Sequence, residues 1–229
     1  MNPLRIALVH PFSWPEVRRG GERYLADLAW YLDRAGHRVD LITGTSGRSG
    51  RSTEGRVRVR RLHHIKNAAV HKAFSDEEIF GFRCYPHLVA HRFDVVHAFV
   101  PSAALAARSA GRRTIYTVLG HPSAELVAAL PRQRRLMGLA VRTATVAVAL
   151  SRASADASES AFDRPTQVLS PGVILDRFPL APDPRAGPPS ILFNAFASNP
   201  EKGLGTLLDA FALLRERVTD ARLVLAGPG

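Results

Sequence analysis

Residues 4–43 read LRIALVHPFSWPEVRRGGERYLADLAWYLDRAGHRVDLIT, and three patterns follow one another within them. Leu4 to His10 is a β-rich apolar run that predicts a strand. Leu25, Leu28, Ala29 and Leu32 fall on one face of a helix predicted over Tyr24 to Ala35, and Val39 to Thr43 predicts a second strand. Strand, helix and strand in that order imply a right-handed crossover and a parallel sheet. The first connection, His10 to Gly21, ends in Arg18-Arg19-Gly20-Gly21. A glycine pair lets a ligand come close to the backbone, and the unpaired N–H groups of the helix start behind it favour anions. No G-x-G-x-x-G is present, and the loop is too long for the tight turn of a dinucleotide site.

The alternation continues outward. Residues 44–56, rich in Gly, Ser, Thr and Arg, predict a mobile loop, and Val57 to Leu62 a strand with alternating arginines. Asn67 to Arg92 predicts helix, with Ser75-Asp76-Glu77-Glu78 resembling a helix start. Further strands are predicted at Phe93 to Val100, Thr114 to Leu119, Thr145 to Leu150 and Thr166 to Leu169, with helices over 102–110, 123–142 and Ser151 to Phe162. Six of the 16 prolines lie between Pro171 and Pro189, a composition suited to a linker. The expectation is a doubly wound α/β domain over 1–170, a proline-rich linker over 171–189, and the first β-α-β of a second Rossmann-like domain over 190–229. That last piece has a strand from Ser190 to Phe193, then Leu204, Leu207, Leu208, Phe211 and Leu214 at helical spacing, with Lys202-Gly203 at the handover. An isolated β-α-β leaves a sheet face bare, so a truncated chain, or a partner that completes the domain, is expected.

Composition narrows the function classes. Of 229 residues 46% are apolar, enough for a genuine core, and no apolar run reaches the roughly 18 residues of a membrane span. Cys84 is the single cysteine, which excludes an internal disulfide and a cysteine metal cluster and reads as a small packing residue. A cytoplasmic protein is expected. Residues 1–150 hold 23 basic and 11 acidic side chains, leaving +12, whereas 151–229 hold 8 and 9, leaving −1. Such an excess attracts nucleic acid, an anionic membrane or an anionic substrate. A basic nucleic-acid-binding domain is therefore the weaker alternative, and because no nucleic-acid module accompanies the charge, no nucleic-acid partner is expected. Leu130 to Arg142 mixes Arg132, Arg134, Arg135 and Arg142 with Leu136, Met137 and Leu139; it is either a solvated helix over the core or a face for peripheral contact with an anionic membrane. Lys202 is one of three lysines among 31 basic residues, and a lysine at a helix start suits a phosphate.

Several of these stretches resemble glycosyltransferase family 4, a retaining family of the GT-B fold. Leu28, Leu32, Gly36, His37 and Val39 follow its L-x-x-x-L-x-x-x-G-H-x-V pattern, and Asp94-Val95-Val96-His97 its D-V-V-H strand. Ala149-Leu150-Ser151, Ser170-Pro171-Gly172-Val173 with Asp176 and Phe178, and Lys202-Gly203 with Leu207 to Phe211 and Leu223 to Gly229 follow in the family's order. The resemblance implies transfer of a hexose from a nucleotide-diphosphate sugar to a hydroxyl of a glycan, lipid-linked or small-molecule acceptor, with retention and with no cofactor or bound metal. It implies Lys202 and Gly203 at the donor diphosphate, Gly20 and Gly21 in a loop facing the interdomain cleft, His97 or His121 near the acceptor, and Gly172 at the hinge. His97 equally reads as a core histidine. Membrane-associated members use basic stretches such as 130–142 for lipid-linked acceptors at the inner membrane face. Two positions depart from the pattern: Leu119 stands for the histidine of T-x-H-G, and Phe196 for an arginine. The family's paired glutamates would lie beyond Gly229. These departures motivate the alternative of a non-catalytic glycosyltransferase-like subunit or remnant.

Overall fold

The computed structural model describes residues 2–65, 68–122, 131–178, 187–195 and 202–227. It divides into two compact units, residues 1–174 and 175–229, the division falling inside the proline-rich stretch.

The first unit is a doubly wound α/β domain. Its strands are β1 (Arg5–Val9), β2 (Arg38–Thr45), β3 (Gly50–Glu54), β4 (Val57–His63), β5 (Val95–Ala98), β6 (Thr114–Val118), β7 (Val146–Ala149) and β8 (Gln167–Val168). Its helices, among the described residues, are α1 (Gly20–Arg34), α2 (Ala68–Ala73), α3 (Asp76–Ala90), α4 (Pro101–Ser109), α5 (Pro131–Thr143) and α6 (Arg152–Phe162). The eight strands lie in the order β3-β4-β2-β1-β5-β6-β7-β8, parallel except for β3. From β1 the chain winds first toward β2 and later back to β5, so the order reverses between β1 and β5. In an open parallel sheet such a reversal opens a crevice at the carboxyl ends of the strands.

Alternation along the strands builds a core on each face. Ile6, Leu8, Val39, Leu41, Val57, Val59 and Phe99 pack against Leu25 and Ala29 of α1. The opposite residues, Ala7, Val9, Ile42, Leu62, Val96, Ala98, Tyr116 and Val118, pack with buried residues of α3 to α6 such as Leu88, Ala104, Val141 and Phe162. Cys84 belongs to this second core; burial pushes its thiol up to about 12, as befits a packing residue. Where α3 crosses α4, a Cβ at Gly81 would lie 2.5 Å from the Ser102 Cβ, so only glycine permits that approach.

Two expectations are corrected. Residues 44–56 are not wholly loop, because Gly50–Glu54 pairs antiparallel with β4 and forms the sheet edge. Its five residues are all exposed and carry no apolar alternation, while Arg61 on β4 ties down Ser52 and Glu54 at 2.6 and 2.5 Å. Helix α1 starts at Gly20, four residues before the helix expected from Tyr24. The start at Ser75 has the expected form: the Ser75 hydroxyl accepts from the Glu78 N–H, and the Glu78 carboxylate accepts from the Ser75 N–H at 2.8 Å. The eight residues 123–130 of the helix expected over 123–142 lie outside the described residues.

The second unit holds a short 3-10 turn (Leu175–Arg177), β9 (Ser190–Asn194), α7 (Leu204–Arg215) and β10 (Arg222–Ala226), with β9 and β10 parallel in the register Ser190 to Arg222. Leu192, Leu208, Leu213, Val224 and Leu225 are all exposed, so its apolar faces are uncovered within the unit. No described helix is long and apolar enough to cross a membrane.

Candidate functional site

The crevice at the carboxyl ends of β1, β5 and β6 gathers Gly20, Gly21, His97 and the Thr117-to-Gly120 stretch, whereas His37 and Asp94 of the other motifs lie at the amino-terminal ends, against Leu4 and Arg5. After β1 the chain runs through His10 to Arg19 and enters α1 at Gly20. Arg19 is the N-cap and offers no side-chain acceptor, so the first N–H groups of α1 are left for another partner. A Cβ on Gly20 would meet nothing within 4 Å, whereas one on Gly21 would lie 3.3 Å from Leu119 Cδ1. The glycine turn therefore sits directly against the position where the T-x-H-G pattern has its histidine. Leu119 packs on the apolar cluster of Phe99 and Leu25. It fills that position with hydrocarbon.

His97 lies one layer below. Its Nε2 is 2.6 Å from Thr117 Oγ1, and its ring stacks on Phe99 at 4.3 Å between centroids. Burial of the ring, only 5% exposed, pulls its pKa down to about 4, so it is neutral at physiological pH. Phe99 in turn meets His10 and Tyr24 edge-on at 6.3 and 5.8 Å. His10 is buried as well, with Nδ1 2.7 Å from the Phe12 carbonyl oxygen; burial lowers its pKa, and the nearby Glu22 carboxylate opposes that shift. Glu22, in the first turn of α1, is 3% exposed, and its Oε2 has no hydrogen-bond partner among the described residues. A buried carboxylate oxygen in that state is an acceptor without a donor. Nothing in the sequence singles out Glu22 beyond its place beside the glycines.

Next to the crevice is a cavity of about 580 Å³, with Phe12 from the first loop, Glu77 and Glu78 from α3, Ser102 from α4 and Arg132 from α5 in its wall. Arg132 Nε pairs with Glu78 at 2.9 Å, and the Ser102 hydroxyl donates to the Glu77 carbonyl oxygen at 2.5 Å. Burial, and then Glu78 and Asp76, push the Glu77 carboxyl above its ordinary value. Hydroxyl, carboxylate and guanidinium together offer both donors and acceptors to a polyhydroxylated ligand.

The remaining expected residues are placed as follows. His121 is exposed just past the end of β6, beyond Gly120, whose carbonyl accepts from the Ser154 hydroxyl at 2.8 Å. Gly172 is exposed near the end of the first unit, and a Cβ there would meet nothing within 4 Å. In the second unit Lys202 is exposed and Gly203 is the N-cap of α7, with φ +71°, a conformation that costs glycine little. Phe196 lies outside the described residues, as do Pro200 and Glu201. The structure thus brings together Gly20, Gly21, Leu119 and, beneath them, His97.

Residues 18–177 match the family model described as Glycosyltransferase Family 4. An uncharacterized glycosyltransferase of Bacillus subtilis (strain 168), YqgM, is 32% identical over 167 residues, which is 65% of this chain and 44% of that protein. Among solved structures, a sucrose-phosphate synthase from Thermosynechococcus elongatus is similar with a TM-score of 0.75 at 17% identity, covering 98% of this chain and 62% of that one. The trehalose-6-phosphate synthase OtsA gives 0.68 at 13% identity over 98% and 65%, and WaaG, a glycosyltransferase involved in lipopolysaccharide biosynthesis, gives 0.66 at 18% identity over 96% and 62%. The chain spans less than half of its curated relative and less than two thirds of these structures.

Proposed function

The chain belongs to glycosyltransferase family 4, and from that membership we propose that it transfers a hexose from a nucleotide-diphosphate sugar to an acceptor hydroxyl with retention at the anomeric carbon. The acceptor oxygen bonds to the anomeric carbon, the bond from that carbon to the diphosphate breaks, and the hydroxyl proton passes to the departing diphosphate. The observation that carries the reading is the glycine turn at the switch-point crevice, where the start of α1 has no side-chain cap and Gly20 leaves its backbone open. Oriented N–H groups there favour an anion and take the part that a metal ion plays in other folds. In the second unit, taken by itself, Lys202 beside the start of α7 is a cation suited to a diphosphate. The cavity lined by Glu77, Ser102 and Arg132 takes the acceptor. His97 serves as a positioning residue, fixing Thr117 and Phe99, while exposed His121 stands nearer the solvent edge. Gly172 serves as the hinge.

A second reading, a non-catalytic glycosyltransferase-like subunit, is favoured by Leu119, which turns the histidine position of the crevice into part of an apolar cluster. Calorimetry with UDP and GDP and a transfer assay with UDP- and GDP-hexoses separate the two. Binding that weakens at least tenfold in Lys202→Ala, together with turnover, supports transfer. Binding without turnover selects the non-catalytic subunit, and no binding at all sinks the donor assignment.

A further inference from the structure

At the other end of the sheet, near the amino-terminal ends of the strands, a second cavity of about 320 Å³ opens between the sheet edge and the last turns of α3. Strand alternation decides what lines it. Val57 and Val59 of β4 turn toward α1, so Arg58 and Arg60 turn the other way, toward α3. Antiparallel pairing places Arg51 of β3 directly opposite Arg60. Like charges opposed across a ladder repel, and among the described residues neither arginine pairs with a carboxylate.

One acid serves the whole cavity. Asp40 accepts from Arg58 at 2.6 Å and from Arg5 at 3.3 Å, so its charge is already shared. Arg60 has no such partner: its Nε is buried and meets no acceptor among the described residues. The far wall is an imidazole pair, His87 and His91, whose centroids are 4.0 Å apart. An orphaned guanidinium donor, an unpaired arginine across from it and a stacked histidine pair form a cradle of donors and positive charge that lacks an anion.

We propose that this cavity is a binding site for a phosphate group, as inorganic phosphate or a phosphomonoester. Arg60 donates to a phosphate oxygen and Arg51 supplies the second positive charge, relieving their mutual repulsion. His87 reports the event. In the free protein its pKa is pulled down to about 4, first by burial, then by His91 and Arg60, with Arg51 adding to the effect and Asp40 opposing it. A phosphate beside the two arginines offsets their charge, so the imidazole takes up a proton more readily.

The test follows the His87 ring by NMR as the pH is varied, in the full chain, with and without inorganic phosphate at fixed ionic strength. The midpoint is expected to rise by at least one pH unit with phosphate. Arg60→Gln and Arg51→Gln should each weaken phosphate binding at least about tenfold, the loss of a charge-assisted hydrogen bond. Arg51 lies on the exposed edge strand, so its variant remains informative if Arg60→Gln fails to fold. Lys202→Ala should leave the response of His87 to phosphate intact. A midpoint unmoved by phosphate, or an Arg51→Gln protein that binds phosphate as tightly as the parent, overturns the proposal.

Discussion

His97 gives the crevice a pH dependence. Its folded pKa of about 4 lies below the ordinary histidine value of 6.5, so between these limits the unfolded chain holds a proton that the native state refuses. Its contribution to stability is complete above pH 6.5 and is lost as the pH falls toward 4, by about 3 kcal/mol in all for so buried a ring. Urea titrations at pH 7 and pH 4.5 should show the loss, and His97→Gln should reduce the difference, leaving the share of His87 and His10, whose pKa values burial also lowers. Leu119 is the second decisive residue. With a Gly21 Cβ only 3.3 Å away, Gly21→Val should push Leu119 out of place, costing roughly 1–3 kcal/mol of stability and at least tenfold in any transfer activity. The motif residues themselves were legible from the sequence, because each is a short word on one strand or turn. Their partners were not: Thr117 and Phe99 reach His97 through strand pairing and stacking, and Glu22 becomes an orphan acceptor only once α1 buries it.

Among the elements, α3 is specified most sharply. Its capping box predicts that Ser75→Ala lowers stability by about 1 kcal/mol in thermal unfolding. Its crossing with α4 predicts a larger loss for Gly81→Ala, roughly 1–3 kcal/mol, since the new methyl would press on Ser102 side chain and backbone alike. Strands β1, β2, β5, β6 and β7 were legible because each is a short, apolar-rich run buried on both faces. Strand β3 escaped for the opposite reason: Arg51, Ser52, Thr53 and Glu54 are all exposed, and pairing and charge hold them where burial does not. The first turn of α1 escaped because Gly20 and Gly21 are poor helix formers, and only the following residues carry the apolar stripe.

At the scale of the molecule the two units are unequal. The first has a core on each face of its sheet, whereas in the second, among the described residues, α7 contributes no buried residue and β9 and β10 form a two-stranded sheet. Two strands and one helix are marginal alone. Residues 1–174 expressed separately should unfold in one cooperative transition by circular dichroism, while 175–229 should show none; a sharp transition in the small piece would count against this account. The borders of the large sheet are poor templates for further strands. One margin is β3, with every residue polar or glycine, and the other is β8, only two residues long. Neither gives an incoming chain a long apolar ribbon to zip onto, so this sheet, unlike the two-stranded sheet of the second unit, resists growth by templated strand addition at either margin.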